Sequence, residues 1–210
     1  MSKGVLTVVS GFSGAGKGTV MKRLIQKYDD YALSISVTTR KPREGERDGI
    51  EYFFKTKEEV ETMIENDEFL EYARYVDNYY GTPRFYVEEM LAKGKNVILE
   101  IEIQGAMQIK SKNPEAVLVF VTPPSFEELR NRLVGRGTET ADVIESRLKR
   151  ASEEAEGMPS YDYILVHDQV EDCVDRLHQI ILSERAKAQR NEEFINTIRQ
   201  EARIFMKGDK

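Results

Sequence analysis

An α/β architecture, a mainly parallel sheet with helices on both faces, is the fold class this 210-residue sequence predicts. Two observations lead to it. An apolar run, Val5 to Ser10, opens directly into a glycine-rich loop, Gly11-Phe12-Ser13-Gly14-Ala15-Gly16-Lys17-Gly18-Thr19, which starts a helix. Further short apolar runs then alternate with capped helical stretches along the chain, the rhythm of parallel strands joined by crossover helices. Composition agrees: 40% hydrophobic and 32% charged residues suit one globular domain, or a core carrying small inserted lobes.

The loop is the most informative stretch. Its glycines let the backbone turn sharply and approach a bound group with no Cβ in the way. Backbone N–H groups and the Lys17 ammonium converge at the start of a helix, and the natural guest there is a phosphate chain. Gly11, Gly16 and Lys17 match G-x-x-x-x-G-K-[ST], but Gly18 stands where a Ser or Thr would hold Mg²⁺, and the hydroxyl is delayed to Thr19. The amphipathic segment Val20 to Ile25 supplies the helix that the motif requires.

Along the chain, Tyr31 to Thr39 alternates apolar and small polar residues and predicts a strand ending at Arg40-Lys41-Pro42-Arg43. Glu51 to Phe54 predicts another, and Thr56 with Glu59 forms a capping-box pattern before a helix from Val60. Phe69 to Ala73 is extended, and Asn78 to Gly81 is expected to turn. Pro83 and Gly94 bracket a helix over 83–93. Asn96 to Glu100 and Ala116 to Val121 are buried strands, and Ser125 and Glu128 form a second capping box. Tyr161 to Val166 makes the last strand, with Asp168 and Glu171 spaced as a cap for a helix over 170–188. Phe194, Ile195, Ile198 and Phe205 recur at helical spacing in the tail, either as a terminal helix packed on the core, the preferred reading, or as a subunit contact.

A net charge of −6 argues against broad nucleic-acid binding, although Arg40, Lys41 and Arg43, and Arg130, Arg132 and Arg136, concentrate positive charge locally. No apolar run reaches the roughly 18 residues of a membrane span, and the N-terminus lacks a signal-peptide core. The lone Cys173 falls in a helical pattern and is expected to be a buried, inert thiol. A reducing cytoplasm is the expected location.

Ligands of such sheets bind at the carboxyl ends of the strands. The strand ending at Glu100, with Glu102 two residues on, places two carboxylates beside the phosphate loop, suited to hold Mg²⁺ directly or through water. Arg40 and Arg43 offer guanidinium forks for a second phosphate.

Gly11 to Thr19, Ser36-Val-Thr-Thr-Arg-Lys-Pro-Arg43, Glu71-Tyr-Ala73, Asn78-Tyr-Tyr-Gly-Thr82, Leu99-Glu-Ile-Glu-Ile-Gln-Gly105 and Gly135-Arg-Gly-Thr-Glu-Thr140 together resemble the successive motifs of guanylate kinase, in order, over about residues 4 to 188. The resemblance implies transfer of the γ-phosphoryl group of ATP to GMP, with Mg²⁺, on a P-loop three-layer parallel-sheet core. That core would comprise 1–35, 84–127 and 158–190. A GMP-binding lobe would occupy 36–83, a lid 128–157 and a tail 191–210. It assigns Gly11 through Thr19 to ATP, and Lys17, Arg136 and Arg147 to catalysis with Arg132 sharing that role; Glu100, from its place at the strand end beside the loop, is the residue expected to hold the metal, directly or through water. Ser36, Arg40, Arg43, Tyr52, Glu71, Tyr80, Thr82 and Glu102 fall to GMP. Guanine offers N1–H and N2–H₂ donors beside an O6 acceptor, so a carboxylate at Glu71 with hydroxyls from Ser36 and Thr82 would match it and reject adenine.

Two positions depart from the family pattern: Glu102, where Asp is common, and His167, where an Asn near adenine is expected. The implied partners are ATP and GMP, with no nucleic acid and no membrane, in a monomer or homodimer. Other nucleoside-monophosphate kinases and a noncatalytic binding module are the rivals, the latter disfavoured by the intact Gly16-Lys17. A signalling GTPase is disfavoured because no Asn-Lys-x-Asp segment occurs.

Overall fold

A computed structural model describes residues 3–75, 77–135, 137 and 140–208. Five parallel strands form the main sheet: β1 (Leu6–Gly11), β2 (Tyr31–Leu33), β7 (Asn96–Glu100), β8 (Val117–Thr122) and β9 (Tyr163–Val166), in the order β2-β7-β1-β8-β9. The apolar residues of β1, β7 and β8 are buried without alternation, which requires cover on both faces. Helices α1 (Lys17–Lys27) and α7 (Val170–Arg185) pack together and on the sheet, while α3 (Arg84–Ala92) and α4 (Ile103–Lys112) lie against β7, β1 and β8. The α1–α7 contact is reinforced by Arg23–Glu171 at 2.6 Å and by His178 stacked on Tyr28 with ring centroids 3.7 Å apart.

A second sheet of four strands, β3 (Ser36–Thr38), β4 (Tyr52–Phe54), β5 (Phe69–Tyr75) and β6 (Asn78–Pro83), runs in the order β4-β3-β6-β5. Helix α2 (Lys57–Glu65) is held by the capping box that Thr56 and Glu59 predict, with both reciprocal bonds present. Val37, Val60 and Phe69 make a small core separate from the main one. Helices α5 (Phe126–Gly135) and α6 (Ala141–Ala155) follow β8, with Ser125 Oγ accepting from the Glu128 N–H at 3.1 Å. A 3-10 turn over Met158–Ser160 leads into β9.

Several expectations are corrected. The single strand over 31–39 is two strands in different sheets: Ser34 N–H still donates to Ile98 of the main sheet at 2.8 Å, and from Ser36 the chain pairs with β4 and β6. Asn78 to Gly81 is a strand, because its backbone pairs with both β5 and β3. Pro83 ends β6 in extended conformation and precedes α3 instead of opening it. Helix α7 is capped at Gln169 with no side-chain bond, so Asp168 and Glu171 do not form the expected cap. The tail does form a helix, α8 (Glu192–Gly208), but its apolar face is not packed on the core: Phe194 is 65% and Phe205 73% exposed. Cys173 is buried, and burial pushes its thiol up to about 11, the inert state expected.

Candidate active site

The loop between β1 and α1 takes the shape its glycines allow. Gly14 and Gly16 have φ of 97° and 89°, in the left-handed region, and Gly16 caps α1. Lys17 Nζ donates to the carbonyls of Gly11 at 2.7 Å and Phe12 at 3.3 Å, which folds the ammonium back over the loop mouth. Ser13, Gly18 and Thr19 are exposed, whereas Phe12 and Ala15 anchor the loop in the core.

His167 lies immediately beneath this loop. Its ring is 6% exposed, its Nδ1 sits 2.6 Å from the Ala15 carbonyl, and its N–H donates to Thr122 at 2.8 Å. A Cβ at Gly16 would come within 2.5 Å of the ring. Arg132 closes the same corner, donating to the His167 carbonyl at 3.0 Å and pairing with Glu128 at 2.8 Å. The residue flagged in sequence as a departure near adenine is thus a buried support of the phosphate loop.

Glu100 ends β7 next to β1. Desolvation raises its carboxyl pKa, and the Lys17 charge opposes that rise. Glu102 does not share an extended face with it: the chain turns, Glu102 becomes the N-cap of α4, and its exposed carboxylate pairs with Arg150 on α6. Ser10 Oγ donates to the Ile101 carbonyl at 2.7 Å, tying the loop's strand to this turn.

One turn into α4, Gly105 faces the four-stranded sheet. A Cβ there would lie 3.1 Å from Glu71 Oε2, so the absent side chain makes room for the carboxylate. Glu71 is 7% exposed, and Thr82 Oγ1 donates to it at 2.7 Å. Burial raises its pKa, and hydrogen bonds from the Thr82 side chain and backbone oppose the rise. Glu71 and Thr82 are register partners, and Ser36 stands one place along from the pair Val37 and Gly81, so β3, β6 and β5 present the three residues in one row.

Arg40, Tyr52 and Tyr80 form an adjacent cluster. The Arg40 guanidinium lies 5.3 Å over the Tyr52 ring and pairs with Glu46 at 2.9 Å, the main cause of its raised pKa. Tyr52 and Tyr80 meet edge to face at 6.2 Å. Glu46 also accepts from the Arg43 backbone N–H at 2.7 Å, while the Arg43 side chain is exposed. Sequence reasoning missed Glu46, although its spacing of three and six from the arginines was available as a signal. It also missed Arg150.

From α6, Arg147 donates to Ser13 Oγ at 2.9 Å, so this arginine reaches the phosphate loop. Arg136 lies outside the described residues. The structure therefore gathers two groups of predicted residues, one around the loop and one on the smaller sheet, linked through the β7–α4 turn.

Comparison with known proteins places this geometry. The family model for guanylate kinase matches residues 3–184. The guanylate kinase of Oceanobacillus iheyensis is 54% identical over 188 residues, covering 90% of this chain and 91% of that protein. That of Caldanaerobacter subterraneus is 50% identical over 200 residues, covering 95% and 97%. The crystal structure of guanylate kinase from Anaplasma phagocytophilum superposes with a TM-score of 0.69 at 35% identity, covering 90% of each chain. A phosphate loop set beside a buried carboxylate lobe, with a match across nearly the whole length, means that this chain belongs to the guanylate kinase family.

Proposed function

We propose that the chain transfers the γ-phosphoryl group of ATP to GMP, giving ADP and GDP, with the loop at 11–19 holding ATP and the row Ser36, Glu71 and Thr82 reading guanine. The buried Glu71–Thr82 pair carries this reading. A carboxylate in a dry recess accepts from both the N1–H and N2–H₂ of guanine, whereas adenine brings a lone pair to the same spot and leaves the acceptor unmatched. Arg40, Arg43, Tyr52 and Tyr80 then hold the GMP phosphate: Arg40 is already oriented by Glu46 and the Tyr52 ring. Glu102, which the family resemblance assigns to the guanosine side, is exposed and paired with Arg150.

Phosphoryl transfer needs alignment and charge stabilisation more than a base. Lys17 and the loop N–H groups neutralise the β- and γ-phosphates, and Arg147, within reach of Ser13, adds positive charge from α6, with Arg136 and Arg132 nearby in sequence. In this reading residues 36–83 bring GMP and 128–157 close over the donor, which shields the transferring group from water. The donor set also suits a magnesium ion brought with the nucleotide, since Mg²⁺ takes one or two carboxylates and keeps its remaining positions for phosphate oxygens and water. Glu100, whose carboxyl feels the Lys17 charge, would hold it through water, and the ion would neutralise phosphate charge.

A coupled assay of ADP release with GMP, AMP, CMP and dTMP tests the function. GMP is expected to turn over far faster than the others and chelation of divalent ions to stop it. Comparable rates with AMP would overturn the guanine assignment.

A further inference from the structure

Helix α6 is held on the core by a narrow stripe. Of its 15 residues Ala151 alone is fully buried, and Ile144, Leu148 and Ala155 add partly buried contacts at helical spacing. Its exit rests on the start of α4: a Cβ at Gly157 would lie 3.4 Å from Ile103 Cγ2. A helix seated on so little apolar surface tilts easily about that end. Arg147 lies roughly 12 Å along the axis from the last residue of α6, so a tilt of about 5° moves it by about 1 Å.

Arg150, one turn further on, resists that tilt. At about 100° per residue, Arg147, Arg150 and Glu154 line one flank of the stripe. The Arg150 guanidinium bridges two carboxylates: Nε donates to Glu154 Oε1 on its own helix at 3.0 Å, and Nη2 donates to Glu102 at the head of α4. The Glu154 side chain is only 19% exposed, which fixes one end of the bridge. Glu102 receives the other, because it stands at the N-cap of α4 yet its side chain makes no cap bond there. A glutamate carries one methylene more than the aspartate favoured at such a place, and here that length reaches across to α6. The Arg150 and Glu102 side chains are 55% and 73% exposed, so the pair adds little to overall stability. What it sets is the angle between α6 and α4.

We propose, resting on the transfer from ATP to GMP inferred above, that Arg150 is a positioning residue for that step: by tying α6 to Glu102 it holds Arg147 at the phosphate loop. Arg147 donates to Ser13 Oγ at 2.9 Å in this arrangement. Arg150 acts through Arg147 and touches no reacting atom. Glu102 also begins the turn of α4 that carries Gly105 against Glu71, so the tie joins the loop to the sheet that carries Glu71. A charge-stabilising group displaced by about 1 Å loses up to about 100-fold in rate, so a contact worth little to the fold is worth more to turnover.

Steady-state kinetics of the full chain with ATP and GMP, on Arg150→Ala, Arg147→Ala and the double variant, test this. Arg150→Ala is expected to lower kcat about tenfold, with KM for each nucleotide within about threefold and Tm within about 2 °C of wild type. Arg150→Lys, which keeps a charge in reach of Glu102, recovers most of kcat. Arg147→Ala lowers kcat about 100-fold, and adding Arg150→Ala to it costs no more than about twofold further, because the residue being aimed is already gone. Glu102→Gln likewise makes Arg150→Ala nearly silent in kcat. A kcat within twofold of wild type in Arg150→Ala overturns the proposal. So do losses that multiply in the double variant, which would put Arg150 on the phosphate itself, and so does a large rise in KM with kcat intact. Failure of the guanine reading shows separately, as wild-type turnover of AMP at a rate comparable to GMP, and the kcat ratios still report on Arg150 with either acceptor.

Discussion

At Glu71, desolvation lifts the carboxyl pKa and two donations from Thr82 pull against it, with desolvation the larger effect. A carboxylic acid with a raised folded-state pKa stabilises the fold below its unfolded value and loses that contribution as pH rises through the folded value. At neutral pH the charged Glu71 is therefore a cost to the apo fold, one that the proposed guanine contact would explain. Glu71→Gln is expected to raise Tm at pH 7 by up to about 3 °C. The gain should shrink as pH falls towards the range where the wild-type carboxyl is protonated. KM for GMP should meanwhile rise about 10- to 100-fold, with KM for ATP nearly unchanged. Thermal melts at pH 5 and 7 with kinetics at pH 7 check both parts, and a lower Tm at pH 7 would refute the cost. Lys17→Met is expected to reduce kcat about 100- to 1,000-fold, the effect of removing one charge-stabilising donor. Circular dichroism should show the fold retained, since the amide framework of the loop, from Ala15 N–H to Phe12 and from Thr19 N–H to Gly16, does not involve the lysine.

Between elements, two contacts set the site's geometry. α4 approaches β5 closely because residue 105 is glycine, and Gly105→Ala would place a methyl group 3.1 Å from Glu71 Oε2. The carboxylate must yield by a few tenths of an ångström, so KM for GMP is expected to rise roughly three- to tenfold, while ATP use is spared. Steady-state titration of each nucleotide separates the two. Likewise, β9 supports the phosphate loop through His167, and His167→Leu removes the group facing Ala15 while keeping the volume. That variant is expected to weaken ATP use about tenfold, with GMP use little affected, and His167→Asn, which can present an N–H near the same place, should recover most of it.

The sequence displayed the loop and the strands β1, β7 and β8 because their apolar runs are continuous and their turns carry glycine. It hid which sheet an extended segment joins. Tyr31 to Thr39 reads as one alternating run, yet Ser34 still bonds to Ile98 while Ser36 pairs in the other sheet, a switch decided by partners distant in sequence. Asn78 to Gly81 looks like a turn by composition and is a strand because β5 and β3 flank it. The position of Glu71 depended on its motif; its contact with Gly105, and that of His167 with Ala15, are tertiary and left no periodic trace.

Across the whole molecule, stability is unevenly distributed. The main sheet buries Phe120, Leu118, Ile98 and many neighbours in one continuous core, whereas the four-stranded sheet rests on Val37, Val60 and Phe69, with Phe53, Met63, Ile64 and Tyr79 partly buried around them. A unit with so few buried apolar side chains opens more readily than the sheet it is attached to. Amides of β3 to β6 are therefore expected to exchange hydrogen faster than those of β1, β7 and β8. If GMP binds Glu71 and Thr82 on that sheet and ATP binds the loop at 11–19, as proposed, GMP should close the difference: at about 100 times its Kd it slows the lobe's exchange about 100-fold, while ATP leaves the lobe nearly unchanged. Hydrogen exchange followed by mass spectrometry resolves the two sheets. Equal protection of both without ligand would mean that the lobe unfolds together with the core, and an ATP effect on β3 to β6 as large as that of GMP would mean that the two substrates share one cooperative unit.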